Sequence, residues 1–144
     1  MTETQYGSLR ERIAAEKAER QARYDAFAQV YSDALHAGIA AGNAAVPTPM
    51  VVRDDITGHV YEPVMDGLCG FGWVVVQPGT SSFAKWLLKQ GYAHKHYGGG
   101  VAIWVSTHDQ SYERKYAHAR AMAEVFQQSE VLSGLTIYAD GRLD

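Results

Sequence analysis

The sequence predicts an α+β domain in which a long N-terminal helix and two later helices pack mainly on one face of a mixed β-sheet. Three observations support this prediction. A proline-free segment rich in alanine, glutamate and arginine runs from Leu9 to Gly42, and this composition favours one long helix of roughly thirty residues, with a break near Gly38 or Gly42. Short apolar runs with β-branched residues, typical of strands, follow after residue 70. Segments with helical apolar spacing alternate with those runs, which indicates strands and helices around one core.

The predicted N-terminal helix has two dissimilar parts. Residues 9–23 are heavily charged, whereas residues 24–39 carry large apolar side chains at spacings of three and four, which predicts a buried face; these are Tyr24, Phe27, Tyr31, Leu35 and Ile39. We therefore divide the chain into a charged projecting helix segment, residues 1–23, and a single α+β domain, residues 24–144. The projecting segment is either a solvated helix end or an element that pairs with another subunit or a partner protein.

The remaining elements are predicted from turn residues and apolar runs. Pro47 and Pro49 end the long helix, and Thr57-Gly58 lies between two apolar stretches that predict a β-hairpin. The order strand, helix, strand, helix, strand follows, with strands at 71–76, 101–105 and 135–139 and helices after Ser82 and from about 111 to 128. Gly91 has the position of a left-handed helix cap. Asp140-Gly141 is predicted to turn the C-terminal tail away from the last strand.

Composition limits the class of protein. The chain has 144 residues, of which 47% are hydrophobic, and a net charge of −3. This length favours one domain that needs no metal or disulfide to fold, and the negative charge argues against nucleic acid as a partner. Cys69 is the single cysteine, which fits a reducing compartment. The N-terminus lacks the apolar core of a signal peptide and no membrane span is visible, so we expect a soluble, cytoplasmic protein.

A polar turn before the last predicted helix is the main candidate site. Backbone amides and the dipole at a helix start favour an anion, and two cationic residues follow in the first turn. The alternative is that a side chain of this turn simply caps the helix. Trp73 and Trp104 lie in predicted core strands and are interpreted as core residues, although either could stack on a ring if it faces a groove. Arg142 belongs either to a frayed tail or to a site where it binds an anion through two hydrogen bonds. The predicted ligand-binding residues are Ser106, Thr107, His108, Gln110, Ser111, Arg114, Lys115, Trp104 and Arg142.

No arrangement of residues indicates catalysis, a metal site or a cofactor. Cys69 has no identifiable base in the sequence and is interpreted as a small buried thiol. His94 and His96 alternate and would share one face of an extended segment, but no set of three or four ligands emerges. With His108 and His118 they are interpreted as surface histidines. We therefore predict no catalytic residue, no metal and no cofactor.

Several motifs, in this order along the chain, resemble a family of small proteins from tailed bacteriophages and prophages that usually have no assigned function. The motifs are Pro47-Thr-Pro-Met-Val-Val, Cys69-Gly-Phe-Gly-Trp-Val, Phe83-Ala-Lys-Trp-Leu, Gly99-Gly-Val-Ala-Ile-Trp-Val, Gln110-Ser-Tyr and Arg142-Leu-Asp. The resemblance covers residues 35–144 and transfers no catalytic or binding residue. It implies a phage-encoded protein that acts in the host bacterial cytoplasm. Phage accessory proteins of this size often inhibit host defence or sequester ligands.

These observations lead to one expected function and two alternatives. We expect a phage accessory protein that binds a ligand or a host protein without catalysis, sequesters an anionic or nucleotide ligand or inhibits a host defence, and forms a homo-oligomer. One alternative is an enzyme that acts on a nucleotide or phosphoester through Lys115, Gln110 and His108. The other is a structural or assembly component of the virion that uses the projecting helix.

Overall fold

The computed structural model describes residues 2–144, with side chains from Gly7 onward. Three helices and four strands follow one another along the chain, and a short 3₁₀ helix, Glu130–Leu132, precedes the last strand. In chain order they are α1 (Thr2–Ala44), β1 (Gly70–Gln77), α2 (Ser82–Gln90), β2 (His94–Lys95), β3 (Val101–Trp104), α3 (Tyr112–Gln128) and β4 (Thr136–Leu143). The α+β class and the long N-terminal helix are confirmed.

Helix α1 is continuous through Gly38 and Gly42 and has a length of about 64 Å at 1.5 Å per residue. Side chains 8–23 are all exposed, and burial begins with Phe27, Val30 and Ala34. The predicted break near Gly38 or Gly42 is absent because α3 and the loop before it pack closely against these two positions. Despite the length of α1, the helices of residues 2–144 lack the combination of length and apolarity that a membrane span requires.

The sheet has the order β2-β3-β1-β4, and each neighbouring pair of strands is antiparallel. The predicted mixed sheet is therefore wrong. The strands alternate in direction because α3 carries the chain from β3 across β1 to β4. The parallel strands β3 and β4 are therefore separated by β1, which is antiparallel to both. The segment around Thr57-Gly58 folds back on itself outside this sheet through the bridges Met50–Val64 and Arg53–Val60 and a hydrogen bond from the Tyr61 amide to the Val52 carbonyl (3.0 Å). The predicted hairpin is thus present as isolated bridges and not as two strands.

The two faces of the sheet have different neighbours. Helices α1, α2 and α3 share one core with Val74, Val76 and Ile137 of the strands, so the expectation of helices on one face agrees with the structure. A separate apolar cluster on the other face consists of strand residues, with Trp73 and Val75 at its centre. Helix α3 lies close to β1 because Gly72 has no side chain: a Cβ there would be 2.8 Å from the Lys115 carbonyl oxygen.

Strand β4 is longer than the sequence indicates. It continues through Asp140-Gly141 to Leu143 and pairs with β1 along its whole length. The predicted turn at Asp140-Gly141 is wrong, because the Asp140 carboxylate accepts a hydrogen bond from the Gly141 amide (2.8 Å) while the strand remains extended. As a result Arg142 lies in the sheet, directly opposite Phe71.

Candidate functional site

Six of the nine predicted site residues form two separate groups. Thr107, His108 and Arg114 line a cavity of about 420 Å³ beside the C-terminal end of α1. Trp104, Lys115 and Arg142 instead gather around the ring of Phe71. The remaining three are in or beside the α3 start: the exposed Ser106, Gln110, whose carbonyl accepts a hydrogen bond from Gly70, and the buried Ser111.

The start of α3 uses its own side chain as a cap. Ser111 Oγ accepts a hydrogen bond from the Arg114 amide (3.3 Å), and the Tyr112 amide donates to the Leu68 carbonyl (2.9 Å). Two of the first three helix amides are therefore satisfied within the chain. The Arg114 side chain points away and donates to the carbonyl oxygens of Gly42 and Asn43 at the end of α1 (3.3 and 3.2 Å). The capping alternative thus describes this helix start.

The cavity is bordered by a tight turn and a pair of histidines. His108 and Asp109 have φ values of 69° and 52°, a left-handed conformation that is uncommon for residues other than glycine. This turn directs the His108 ring towards α3, where its Nε2 lies 2.9 Å from Nδ1 of His118. Carboxylates of Asp66 and Asp109 line the same cavity. The mixture of charges gives it no clear preference for an anion.

His118 is a buried residue, so the interpretation of this histidine as a surface residue is wrong. It packs against Gly38 of α1. Burial, together with the neighbouring His108, lowers the pKa of His118 to about 4. Burial also lowers the pKa of His108, with further contributions from Arg114 and Lys115 against an opposing one from Asp109. Both rings are therefore neutral at pH 7, and one donates its ring proton to the other.

We expect the stability of the protein to fall as the pH is lowered from about 6.5 towards 4 because of His118. The folded-state pKa of about 4 lies below the ordinary value of 6.5, so the unfolded chain binds the proton first and is favoured in this window. The melting temperature should therefore rise with pH across this range and level off above it. His118→Gln should flatten this dependence, whereas His36→Gln, on the exposed side of α1, should retain it. Parallel profiles for the two variants would contradict the assignment.

On the sheet face opposite the helices, aromatic side chains form a continuous surface that we call the aromatic face, consisting of Phe71, Trp73, His94 and Trp104. The register of β1 and β3 places Trp73 beside Trp104, and their rings stack with centroids 4.7 Å apart. His94 lies nearly parallel to Trp104 at 6.0 Å, and Phe71 meets it edge-on at 5.7 Å. Trp104 is 37% exposed, whereas Trp73 is only 5% exposed. The aromatic face thus has a buried floor and an accessible stacking surface.

The indole N–H of Trp73 is unusual because it is buried without a hydrogen-bond acceptor. Among side-chain nitrogen and oxygen atoms of residues 7–144, Trp73 Nε1 is the buried atom that lacks a partner. An indole can only donate, and a buried donor without a partner is destabilising by about 1–3 kcal/mol. The aromatic face therefore contains a buried donor that has no acceptor among residues 7–144.

Two cations approach the aromatic face at Phe71. Lys115 Nζ lies 5.6 Å from the centroid of the Phe71 ring, and Arg142 Cζ lies 5.4 Å from it. Lys115 is only 7% exposed. Its carbonyl packs against Gly72 on the helix side while its ammonium is near Phe71, so the side chain extends from the helix layer towards the opposite face. The Lys115 side chain passes β1 in the gap between the end of β3 and Gln110, whose carbonyl bonds to β1.

Sequence reasoning missed Phe71, the residue that contacts Trp104 and both cations. Phe71 and Trp73 alternate with residues of the helix side, and that period-two pattern was the available signal for a second face. The prediction that His94 and His96 share a face agrees with their positions near Trp104 and Trp73, respectively. Cys69 is exposed, so the prediction of a buried thiol is wrong. In the described part of the chain, no group of three or more potential metal ligands is present.

Comparisons with protein-family models, curated proteins and solved structures found no match to this chain. The functional interpretation is therefore based on the geometry of the aromatic face and of the residues around it.

Proposed function

We propose that this protein is a non-catalytic binding protein that holds a planar ligand on the aromatic face. The observation that carries the proposal is the buried Trp73 indole N–H without an acceptor, next to the partly exposed ring of Trp104. In the phage context that the motif resemblance implies, such a protein sequesters its ligand or withholds it from a host defence.

Stacking and one hydrogen bond are sufficient for recognition of a ring. An aromatic side chain that stacks on a nucleobase contributes about 1–3 kcal/mol to binding. A ring nitrogen or carbonyl of the ligand would also satisfy Trp73 Nε1 once the covering side chain moves aside. Trp104 both covers Trp73 and is accessible to solvent, so its side chain is the part of the face that adjusts.

The enzymatic alternative receives no such support. It requires Lys115, Gln110 and His108 to act together. Lys115 contacts Phe71, His108 pairs with His118, and the Gln110 carbonyl bonds to Gly70. The three residues thus have separate neighbours.

The exposed half of α1 favours a second candidate, a protein partner. Side chains 8–23 are all exposed and include the large apolar residues Leu9 and Ile13. This part of the helix could contact a host protein, a virion component or a second copy of the chain. The partner function would use a different surface from the ligand site.

We expect Trp104→Ala to weaken binding of uncharged nucleosides by about tenfold or more, because the stacking surface is removed. Calorimetric titration of the full chain with a panel of bases and nucleosides measures this effect. Tyr61→Ala removes an exposed aromatic ring from the segment outside the sheet and should bind as the wild type does. After denaturation the bound compound should be recovered chemically unchanged. A panel in which no member binds, equal binding by the Trp104 variant, or conversion of the ligand would contradict the proposal.

A further inference from the structure

We infer that the aromatic face includes an anion subsite, formed by Lys115 and Arg142 at the ring of Phe71, so that its ligand is a mononucleotide rather than an uncharged base or nucleoside. The inference rests on the proposed function, because it describes a second part of the same ligand. Lys115 and Arg142 support the anion subsite, whereas Trp73 and Trp104 support the stacking proposal.

Lys115 is a charged residue whose side chain is largely buried. Lys115 is more than nine-tenths buried, and lysine is almost never buried unless it is paired. Its ammonium faces the Phe71 ring, and a ring face provides a weaker partner than an anion does. The Lys115 side chain is therefore largely buried while its ammonium is not among the buried atoms, and a phosphate at this position would give that ammonium a partner of opposite charge.

Arg142 reaches the same ring from β4, independently of Lys115. The β1–β4 register places it directly opposite Phe71, and its guanidinium carbon lies 5.4 Å from the ring centroid. A guanidinium donates two parallel hydrogen bonds to a phosphate, whereas an ammonium acts as a compact charge. Each side chain therefore offers a contact of its own to an anionic group at Phe71.

Two carboxylates close to the cations in sequence, those of Asp140 and Glu113, accept hydrogen bonds within the chain, whereas Asp144 is tied to Cys69 through its backbone amide. Asp140 lies on the same face, two residues before Arg142, and its carboxylate accepts the Gly141 amide hydrogen bond. Glu113, close to Lys115 in α3, accepts a hydrogen bond from the Thr48 amide. These contacts direct both negative groups towards backbone amides and leave the two cations at Phe71 available to a ligand.

The spacing of the contacts indicates the class of ligand. The Phe71 ring centroid lies 5.7 Å from that of Trp104, 5.6 Å from Lys115 Nζ and 5.4 Å from Arg142 Cζ. Phe71 is thus a common neighbour of the stacking ring and of both cations, which brings a base on Trp104 and a phosphate at the cations within the reach of one nucleotide. A long nucleic acid needs a row of cations along its backbone, whereas this chain has a net charge of −3 and two cations at the site.

The test compares adenosine and guanosine with their 5′-monophosphates by calorimetric titration of the full chain. We expect each monophosphate to bind about tenfold tighter than its nucleoside at low salt, which is the effect of one or two charge-assisted hydrogen bonds. Lys115→Met and Arg142→Gln should each reduce this ratio several-fold and leave nucleoside binding unchanged. Added salt should reduce the ratio in the wild type. Lys85→Met and Arg120→Gln remove exposed cations elsewhere and should keep the ratio.

The outcomes separate the subsite from the stacking site. Equal binding of nucleoside and monophosphate overturns the anion subsite while the proposed function stands. Loss of nucleoside binding in Trp104→Ala with an unchanged ratio in both cation variants also overturns the subsite alone. Lys115→Met should melt near the wild-type temperature, because the methionine side chain replaces the buried stem of the lysine. If it instead unfolds, the exposed Arg142 variant decides the question alone. Tighter binding of an oligonucleotide than of the monophosphate overturns the mononucleotide class.

Discussion

Phe27→Ala is expected to reduce the free energy of unfolding by about 3–5 kcal/mol, because it removes a large ring from a packed interior and leaves a cavity. Phe27 is 2% exposed and is the first residue of α1 that is fully enclosed by the core. Its ring lies 5.2 Å from Phe83 and 5.9 Å from Trp86, both on α2. The substitution therefore breaks the contact that joins α1 to α2.

Urea denaturation followed by circular dichroism measures this change. Ile13→Ala is the matched control, since Ile13 lies on the same helix but is 56% exposed in the projecting half. It should change the free energy of unfolding by less than about 0.5 kcal/mol. A loss below about 1 kcal/mol in Phe27→Ala would show that α1 is not anchored at this position.

Gly38→Ala is expected to destabilise the protein, against the usual effect of alanine in a helix. Alanine in a helix interior is normally more favourable than glycine by up to about 1 kcal/mol. At Gly38, however, a Cβ would lie 2.6 Å from Cδ2 of His118 and 2.8 Å from Cγ of Met122. Both are buried side chains of α3. Separating the two helices to relieve this overlap should leave a net loss of about 1–3 kcal/mol.

Gly7→Ala is the control for this prediction, because the same substitution in the same helix meets no atom within 4 Å. Its melting temperature should equal or exceed that of the wild type. NMR titration of the histidine rings adds a second measurement: the movement of α3 in Gly38→Ala should expose His118 and raise its pKa towards the ordinary value. A stable Gly38→Ala with an unchanged titration would mean that α1 and α3 are less closely packed than the structure shows.

Local patterns were sufficient to predict the elements of this fold but not how its strands pair. Ser81 accepts a hydrogen bond from Ala84 at the start of α2, and Gly91 has the left-handed conformation at its end. These features are encoded within a few residues. The antiparallel order depends instead on where α3 returns the chain to the sheet. Strand β2 has only two residues, too few for a periodic signal.

In the candidate site, too, individual residues were predicted from the sequence but their arrangement in space was not. Trp104, Lys115 and Arg142 were singled out from their residue types, but the sequence placed Lys115 at a helix start and Arg142 in a tail. Their convergence on Phe71 depends on the β1–β4 register and on a lysine side chain that passes the edge of β1. Both are tertiary relationships between distant residues. The unsatisfied Trp73 N–H likewise becomes visible only when all of its neighbours are in place.

The projecting half of α1 also determines how this chain will behave in hydrodynamic experiments. Side chains 8–23 belong to a stretch of rod about 24 Å long that lies outside the packed core. A rod attached to a compact body raises the frictional coefficient without adding much mass. The 15.8 kDa monomer should therefore elute early from a sizing column, at the position of a larger globular protein. Sedimentation equilibrium or light scattering, which report mass independently of shape, will distinguish a true homo-oligomer from a monomer with high friction.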